Sequence, residues 1–522
     1  MSQEGRKSIP AWYRHIYRCT VRVQYLRRRE GGRSSMKLSE LTAGLEGKRQ
    51  GVGDVEVTGV TCDSRRVEVG TVFVAVPGHR LDGASFVDEA IRRGCAAVVG
   101  EVPLPGAPVP VLVVPSARRA LGELASRFHG HPTSRMNVVG VTGTNGKTTT
   151  TWLLRSIFEA AGEKAGLLGT IHHHLGSRTV PSENTTPGAD RLQGYFAEMV
   201  AAGCTSAAME VSSHALDQER VHGIRFAAGV FTNLSRDHLD YHPTPEAYRE
   251  AKGRLFAILP PHGIAVLNAE EPASEGYASR TRARVIRYSL RGPAEVSGTV
   301  EAMDLSGMRL RLRLGGGEAV VRTRLVGAHN ARNMLAAAAC AWAMGYDPDP
   351  IRAGLENLAS VPGRLEPVDG GQEFSVLVDY AHTEDALRNV LECLKPLIRG
   401  RLILVFGCGG ERDRGKRPRM GRVAARLADQ VVLTSDNPRG ENPLDIIREI
   451  DAGIEAKTKR LIEPDRRMAI RLALSLARRE DAVLIAGKGH ENYQIFRDQT
   501  RLFDDRRVAR EVLRELTSRL EA

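Results

Sequence analysis

Residues 138–150 read Val-Val-Gly-Val-Thr-Gly-Thr-Asn-Gly-Lys-Thr-Thr-Thr, and no other stretch constrains the fold as tightly. An apolar, β-branched run enters a glycine turn, passes through Lys147-Thr148-Thr149 and continues into the helix-like Trp152-Leu153-Leu154-Arg155-Ser156-Ile157-Phe158. That order places backbone N–H groups and a helix N-terminus around an anion, with an ammonium beside it, which makes a cradle for nucleotide phosphates. The Thr148 hydroxyl falls where such loops ligate magnesium. The strict pattern G-x-x-x-x-G-K-[ST] needs glycine at position 141, where this chain has Val141, so the loop is a variant. A plain glycine turn would not need Gly-Lys-Thr at the strand-to-helix junction.

The rest of the chain divides into sections. Residues 1–35 hold nine Lys and Arg against two Glu, a net of +7 out of +12 for all 522 residues. This segment lacks an apolar core like that of a secretory leader, and it reads as a basic, disordered extension or an early start codon. Over 36–134, short β-like runs at 71–76, 96–99 and 111–114 alternate with helix-like pieces such as 86–93. His129-Gly130-His131-Pro132-Thr133-Ser134 closes that section as a helix stop and linker. From 135 to 361 the phosphate loop opens a βα series with strands near 207–211, 228–232 and 264–267, which predicts a mainly parallel, doubly wound sheet. Alternation at Met308-Arg309-Leu310-Arg311-Leu312-Arg313-Leu314 adds antiparallel strands between 295 and 326. A third α/β unit spans 362–522, with strands at 375–378, 402–406, 430–433 and 482–486.

Seven scattered cysteines form no C-x-x-C pair, so they read as reduced thiols rather than a disulfide or zinc framework. No window approaches the ~18 uncharged apolar residues of a membrane span. The basic, glycine-rich run 407–418 lacks interleaved aromatics. It reads as a loop facing an acidic substrate rather than nucleic acid.

Two further constellations follow predicted strands: Glu210-Val211-Ser212-Ser213-His214, and Asn233-Leu234-Ser235-Arg236-Asp237-His238-Leu239-Asp240-Tyr241-His242. Alone, each is more often a structural hydrogen-bonder. Behind one phosphate loop, Glu210 and His238 become candidate magnesium ligands.

Together with Gly143-Thr144-Asn145-Gly146-Lys147-Thr148-Thr149 and Gly327-Ala328-His329-Asn330, these motifs resemble the Mur ligases. That family comprises ATP-dependent amide-bond-forming enzymes of peptidoglycan precursor synthesis. Glu183-Asn184-Thr185-Thr186-Pro187, Asp379-Tyr380-Ala381-His382-Thr383, Asp436-Asn437-Pro438-Arg439 and Gly487-Lys488-Gly489-His490-Glu491 extend the likeness over 36–522, towards its diaminopimelate-adding branch. The resemblance implies three α/β domains: a small UDP-binding domain, a P-loop-type ATPase domain and a Rossmann-like domain for the incoming amino acid. It also implies a reaction in which ATP converts the D-Glu side carboxylate of UDP-N-acetylmuramoyl-L-alanyl-D-glutamate to an acyl phosphate, which the amine of meso-2,6-diaminopimelate then attacks.

By the same resemblance, Gly143 to Thr149 hold the ATP phosphates, and Asn330, Arg364 and Asp379 position the adenosine part. Thr148 and Glu210 share one magnesium, and His238 ligates a second. Lys252 matches a carbamylated lysine (N6-carboxylysine) that assists metal binding; without the family it would read as a solvated helix residue. Lys147, Lys252, His238 and Glu210 are thus the implied catalytic set. Cys62, Ser64, His79, Arg80 and Leu81 match the UDP end. Asn184, Thr185, Thr186, Ser212, Gln218 and Arg220 match the muramoyl-dipeptide contacts. Arg412, Asp436, Asn437, Pro438, Arg439, Gly487 and Glu491 match the diaminopimelate pocket.

Diaminopimelate differs from lysine by a second carboxylate on its far carbon, which a guanidinium can grip through two bonds. Arg439 therefore argues against a lysine-adding relative, and the match of the first section to the UDP-sugar reader argues against a folylpolyglutamate-type ligase. A non-catalytic nucleotide-binding protein would be expected to lose Lys147, Glu210, His238 or Lys252, and all four are present. The implied partners are small molecules, with no nucleic acid and no membrane span. A monomeric, cytoplasmic enzyme using ATP and Mg2+ is expected.

Overall fold

The computed structural model describes residues 35–51, 53–78, 82–238, 241–455 and 457–520. The basic extension (all but Ser35) and the expected UDP contacts His79, Arg80 and Leu81 lie outside the described residues. Three main sheets follow one another along the chain.

The first sheet orders its strands Lys48–Gln50, Val111–Val113, Ala97–Gly100, Thr71–Val74, Gly59–Thr61, the last four parallel. The expected helix at 86–93 is observed as a 3-10 turn, Gly83–Phe86, running into the α-helix Val87–Arg92. The Asp82 side chain starts that turn by accepting from Ala84 N at 3.0 Å.

The central sheet has eleven strands. Its middle runs Ala165–Leu168, Ser206–Glu210, Asn137–Thr142, Phe226–Phe231, Ile264–Asn268, Arg284–Ser289, all parallel. Asn137–Thr142 pairs on both edges, and all but its first residue are buried, as its unbroken apolar and small-residue sequence requires of a strand covered on both faces. The chain fills one side of this strand with Ala165–Leu168 and Ser206–Glu210, then crosses to the other side with Phe226–Phe231. The carboxyl end of Asn137–Thr142 is therefore the switch point where doubly wound sheets bind ligands. Two helices lie over the phosphate-loop helix Lys147–Ala160: Ala328–Ala343, alanine-rich and buried almost all round, and Pro348–Asn357.

Further strands extend both edges of this sheet: Val296–Asp304 joins parallel to Arg284–Ser289, and the strands beyond it, like those at the other edge, are antiparallel. Val296–Asp304, Gly307–Leu314 and Gly317–Thr323 form the expected meander. In it Met308, Leu310, Leu312 and Leu314 point inward, while Arg309, Arg311 and Arg313 pair with Glu301 and Glu318 outside. At the opposite edge, His172–His174 is a strand. It turns back on Ala165–Leu168 and pairs with Thr179–Pro181, so the ladder outweighs the absence of β-branched residues, and His173 packs inward against Tyr195.

The third sheet orders Glu366–Pro367, Ser375–Asp379, Ala482–Ala486, Leu402–Phe406, Gln430–Leu433, Arg460–Ile462, parallel except at its first strand. Its carboxyl-end loops carry Asp379, Gly407 to Arg412, Asp436 to Arg439, and Gly487 to Glu491.

Candidate active site

The phosphate loop is shaped by two glycines that no other residue could replace without strain. Gly143 has φ +150°, and a Cβ there would lie 1.9 Å from Thr232 Oγ1; Gly146 has φ +84°, and its Cβ would lie 2.3 Å from Asn333 Oδ1. Asn233, at the end of the neighbouring strand, accepts from Thr144 N (2.9 Å) through its carbonyl and from Asn145 N (2.9 Å) through its side chain. Intrahelical bonding starts with Thr150 N donating to Gly146 O. The N–H groups of Lys147, Thr148 and Thr149 thus face out of the helix start, which suits an anion.

Lys147 Nζ donates to Gly143 O and Thr144 O, both at 2.9 Å. Burial lowers its pKa, while Glu210 and Asp237 pull it back up. Lys252, in the helix Pro245–Ala257, is buried at 1 % exposure. Its Nζ donates to the same Gly143 carbonyl at 2.9 Å and lies 4.2 Å from the centre of the Tyr248 ring. The solvated-helix reading of Lys252 is therefore wrong: the helix turns this residue inward onto the phosphate loop. Burial, reinforced by Lys147, holds its pKa well below the usual lysine value. Burial pushes the Asp237 carboxyl up, but His238, His382 and Lys147 outweigh it and hold it low.

Glu210 ends its strand buried, Oε1 accepting from Thr170 N (2.8 Å) and Oε2 from Thr170 Oγ1 (3.0 Å). His238 has φ +53°, its ring centroid 4.8 Å from that of His214 and 6.1 Å from that of Tyr248. Directly behind Glu210 the expected dipeptide contacts are knitted together. Thr186 Oγ1 donates to Glu210 O (2.8 Å) and accepts from Ser212 N (3.1 Å). Arg220 donates to Thr186 O (2.9 Å) and to Gln218 Oε1 (2.7 Å), and Thr185 shares a hydroxyl contact with Thr170 (3.0 Å). Asn184 is exposed at the rim of this cluster. In the first section Ser64 is buried and donates to Glu89 (3.0 Å). Burial, with Asp190 beside it, pushes the Cys62 thiol up to about 12.

The third section closes on the phosphate loop. Arg364 donates to Thr148 Oγ1 (3.1 Å) and lies over the Tyr380 ring, and Asn145 Nδ2 donates to Asp385 (3.2 Å). Asp379 accepts from Leu365 N (2.7 Å) and Ala381 N (2.8 Å), fixing the loop that carries Arg364. Asn330 donates to Val326 O (2.8 Å) and accepts from Asn333, the residue that packs against Gly146. Of the three residues expected around adenosine, Arg364 touches the helix start directly, Asn330 reaches it through Asn333, and Asp379 bonds the loop that carries Arg364.

Farther out, Asn437 Nδ2 donates to Glu491 Oε2 (2.9 Å), and buried Lys488 donates to both Glu491 (2.9 Å) and Asn437 Oδ1 (3.2 Å). Asp436 accepts from Asn437 N, and a Cβ on Gly487 would meet its Oδ2 at 2.7 Å. Arg439 has φ +52° after Pro438, and its Nη1 donates to Gly410 O (2.8 Å). A Cβ on Gly409 would lie 3.0 Å from Arg439 Nη1 and 3.8 Å from Arg412 Cγ, so both arginines fold over one glycine.

Three family profiles match this chain in order: the Mur ligase family catalytic domain at 56–129, the Mur ligase middle domain at 141–341, and the Mur ligase glutamate ligase domain at 363–489. The chain belongs to the Mur ligase family. Among its relatives is the UDP-N-acetylmuramoyl-L-alanyl-D-glutamate--2,6-diaminopimelate ligase of Geobacillus kaustophilus (strain HTA426), 47% identical over 89% of this chain and 96% of the relative. The protein of that name from Geobacillus thermodenitrificans (strain NG80-2) is 45% identical over 92% of this chain and 100% of its own length. A solved structure of a ligase with the same name superposes with a TM-score of 0.68 at 33% identity, covering 92% of this chain and 99% of that one. As a Mur ligase, the protein is an ATP-dependent amide-bond-forming enzyme.

Sequence reasoning missed several residues of this Mur ligase site. Thr170 orients Glu210, Asn233 clamps the phosphate loop, Asn333 packs on Gly146, and Lys488 links Asn437 to Glu491. Lys488 lay inside a quoted motif, and its two flanking glycines signalled a tight backbone. Thr170 and Asn333 carried no local signal, because their roles arise only from contacts across the fold.

Proposed function

We propose that this protein joins meso-2,6-diaminopimelate to UDP-N-acetylmuramoyl-L-alanyl-D-glutamate, using ATP, in peptidoglycan precursor synthesis. The observation that carries the acceptor reading is the pair Arg412 and Arg439 over Gly409. Among the described residues neither guanidinium has a carboxylate partner, only backbone carbonyls. Two uncompensated guanidiniums beside the Asn437–Glu491 pair suit an amino acid with a carboxylate at its far end. The names of the relatives point the same way.

In this reading the N–H groups of 147–149 and the Lys147 ammonium hold the ATP phosphates. The D-Glu side carboxylate attacks the γ-phosphorus, ADP departs, and an acyl phosphate forms. The diaminopimelate amine attacks the acyl carbon, a tetrahedral intermediate expels phosphate, and the amine loses its proton as the C–N bond is completed. Each stage gathers negative charge, which Lys147 and the helix start are placed to offset without reorganising. Arg364, Asn330 and Asp379 would position adenosine. Thr186, Ser212, Gln218 and Arg220 would hold the dipeptide, and the first section the UDP end.

The donor set fits magnesium. Glu210 offers a carboxylate and Thr148 a hydroxyl, and no group of three or more His, Cys, Asp or Glu among the described residues could cage a metal. Magnesium is typically held by one or two side chains plus substrate phosphates. Thr148, Glu210, His238 and a carbamylated Lys252 would hold it, and when bound it would neutralise phosphate charge. The depressed pKa of Lys252 favours the neutral amine, which adds to CO2 with loss of a proton and leaves a carbamate anion. The described chain has no helix long and apolar enough to cross a membrane. A monomeric, cytoplasmic enzyme with domains at 36–134, 135–361 and 362–522 completes the proposal; each main sheet lies within one of these sections.

Phosphate release from ATP with the UDP-dipeptide, offering diaminopimelate or L-lysine in parallel, tests it. Turnover with diaminopimelate alone is expected; turnover with lysine alone would overturn the acceptor assignment.

A further inference from the structure

Arg417, second residue of the helix Lys416–Leu427, has a fully buried side chain that the mechanism above does not use. Its guanidinium forks onto Glu441, Nη1 to Oε2 and Nη2 to Oε1, both at 2.9 Å. Nη1 also reaches Glu449 Oε2 (2.9 Å), and Nη2 reaches Gly409 O (3.3 Å). Glu441 in turn accepts from the backbone N–H of Glu411, the residue before Arg412. Glu441 itself lies two residues beyond Arg439, and Gly410 N donates to Asn437 O (2.9 Å). One ion pair, buried on its arginine side and partly exposed at Glu441, therefore staples the loop of Arg412 to the turn of Arg439.

The local charge is sorted by the same contacts. Glu441 and Glu449 are taken up by Arg417 and Arg414. The fork from Arg417 holds the Glu441 carboxyl down at about 2, so this staple stays ionised across the working pH range. Arg412 and Arg439 are left with backbone carbonyls and no carboxylate partner among the described residues. Burying a guanidinium is costly, the more so here because Arg417 Nε has no partner among the described residues, and an apolar side chain could fill the same space without that cost. What the guanidinium adds is direction: it fixes a carboxylate and a carbonyl at set angles.

We propose that Arg417, through Glu441 and Gly409, is a positioning residue for acceptor specificity: it sets the spacing at which Arg412 and Arg439 grip one carboxylate of the incoming amino acid. This rests on the diaminopimelate reading above. A looser staple lets the two guanidiniums drift apart, which weakens the hold on a second carboxylate but leaves lysine, which has none, unaffected.

The test uses the full-length enzyme with ATP and UDP-dipeptide, comparing wild type with Arg417→Met, Arg417→Lys and Glu441→Gln. Arg417→Met is expected to raise KM for diaminopimelate about ten- to a hundred-fold, the range for a charge-assisted bond left unmade. KM for ATP and for the UDP-dipeptide should stay within about twofold, and kcat at saturating acceptor within about threefold, while the preference for diaminopimelate over L-lysine shrinks. Arg417→Lys, which keeps the charge but not the fork, should fall between, and Glu441→Gln should move the same way. The double variant should be no worse than Arg417→Met alone, since both remove one interaction. Unchanged KM for diaminopimelate, or a parallel fall in every kinetic constant with a lowered Tm in all variants, would overturn the proposal. A wild type that uses lysine instead sinks the acceptor reading; a wild type that prefers diaminopimelate beside variants that keep that preference sinks only this one.

Discussion

Replacing Arg439 with alanine should cost this enzyme its acceptor preference more than its catalysis. In the structure Nη1 of Arg439 is committed to Gly410 O at 2.8 Å, and the remaining donors have no carboxylate partner among the described residues. A guanidinium–carboxylate fork adds two charge-assisted bonds, each worth about 1.5–3 kcal/mol. Arg439 is half-buried, so solvent screening favours the lower end, about 3 kcal/mol for the fork. At about 1.36 kcal/mol per decade this is roughly a 150-fold fall in kcat/KM for diaminopimelate. The rate with L-lysine, which presents nothing to that fork, should not fall, and KM for ATP should stay put because Arg439 does not contact the phosphate loop. Phosphate release with each acceptor across a concentration series measures all three. An Arg439→Ala enzyme that still prefers diaminopimelate by the wild-type margin would refute the reasoning, however large its overall loss of activity.

Lys252→Ala should abolish most turnover, and short carboxylates such as acetate or propionate should restore part of it by occupying the space of the carbamate; unaltered turnover without rescue would dismiss the modification. Gly354→Ala places a Cβ 2.4 Å from Ile157 Cα, so the helix Pro348–Asn357 must lift off the phosphate-loop helix. A loss of about 1–3 kcal/mol, seen as a drop of several degrees in Tm, is expected from such overpacking, and an unchanged Tm would contradict the close approach. Burial lowers His129, His173 and His329 to about 4 and His490 to about 3, against 6.5 in the unfolded chain. Between those values the folded state binds fewer protons than the unfolded one, so stability rises with pH from about 4 to 6.5 and is lost as pH falls. Tm followed over that window should decline on acidification, and His173→Gln should flatten part of the slope; an identical slope in the variant would exclude His173 as a contributor.

Much of the site was legible in one dimension because its chemistry is local. A phosphate cradle needs a strand, a glycine turn and a helix start in immediate succession, so Gly143 to Thr149 had to be contiguous and could be recognised as such. The parallel central sheet followed from strand–helix alternation, and the meander from the period-two pattern at 308–314. The turn that carries Arg439 was legible too, since it follows a proline in a short motif. Where the sequence misled, a long-range contact had decided the outcome. Lys252 looks like any lysine on a polar helix; only the packing of that helix against the phosphate loop buries its amine, lowers its pKa and sets it on the Gly143 carbonyl. His172–His174 has no strand signature of its own, and became one because a free sheet edge stood beside it. The Arg417–Glu441 staple joins residues 24 positions apart, on a helix and a turn whose approach no sequence pattern encodes. Sequence thus determined the groups proposed to meet phosphate and carboxylate, because those groups come as short runs. The tertiary structure alone decided which charges are buried, which are paired and which remain for the substrate, because burial and pairing depend on what the rest of the chain brings alongside.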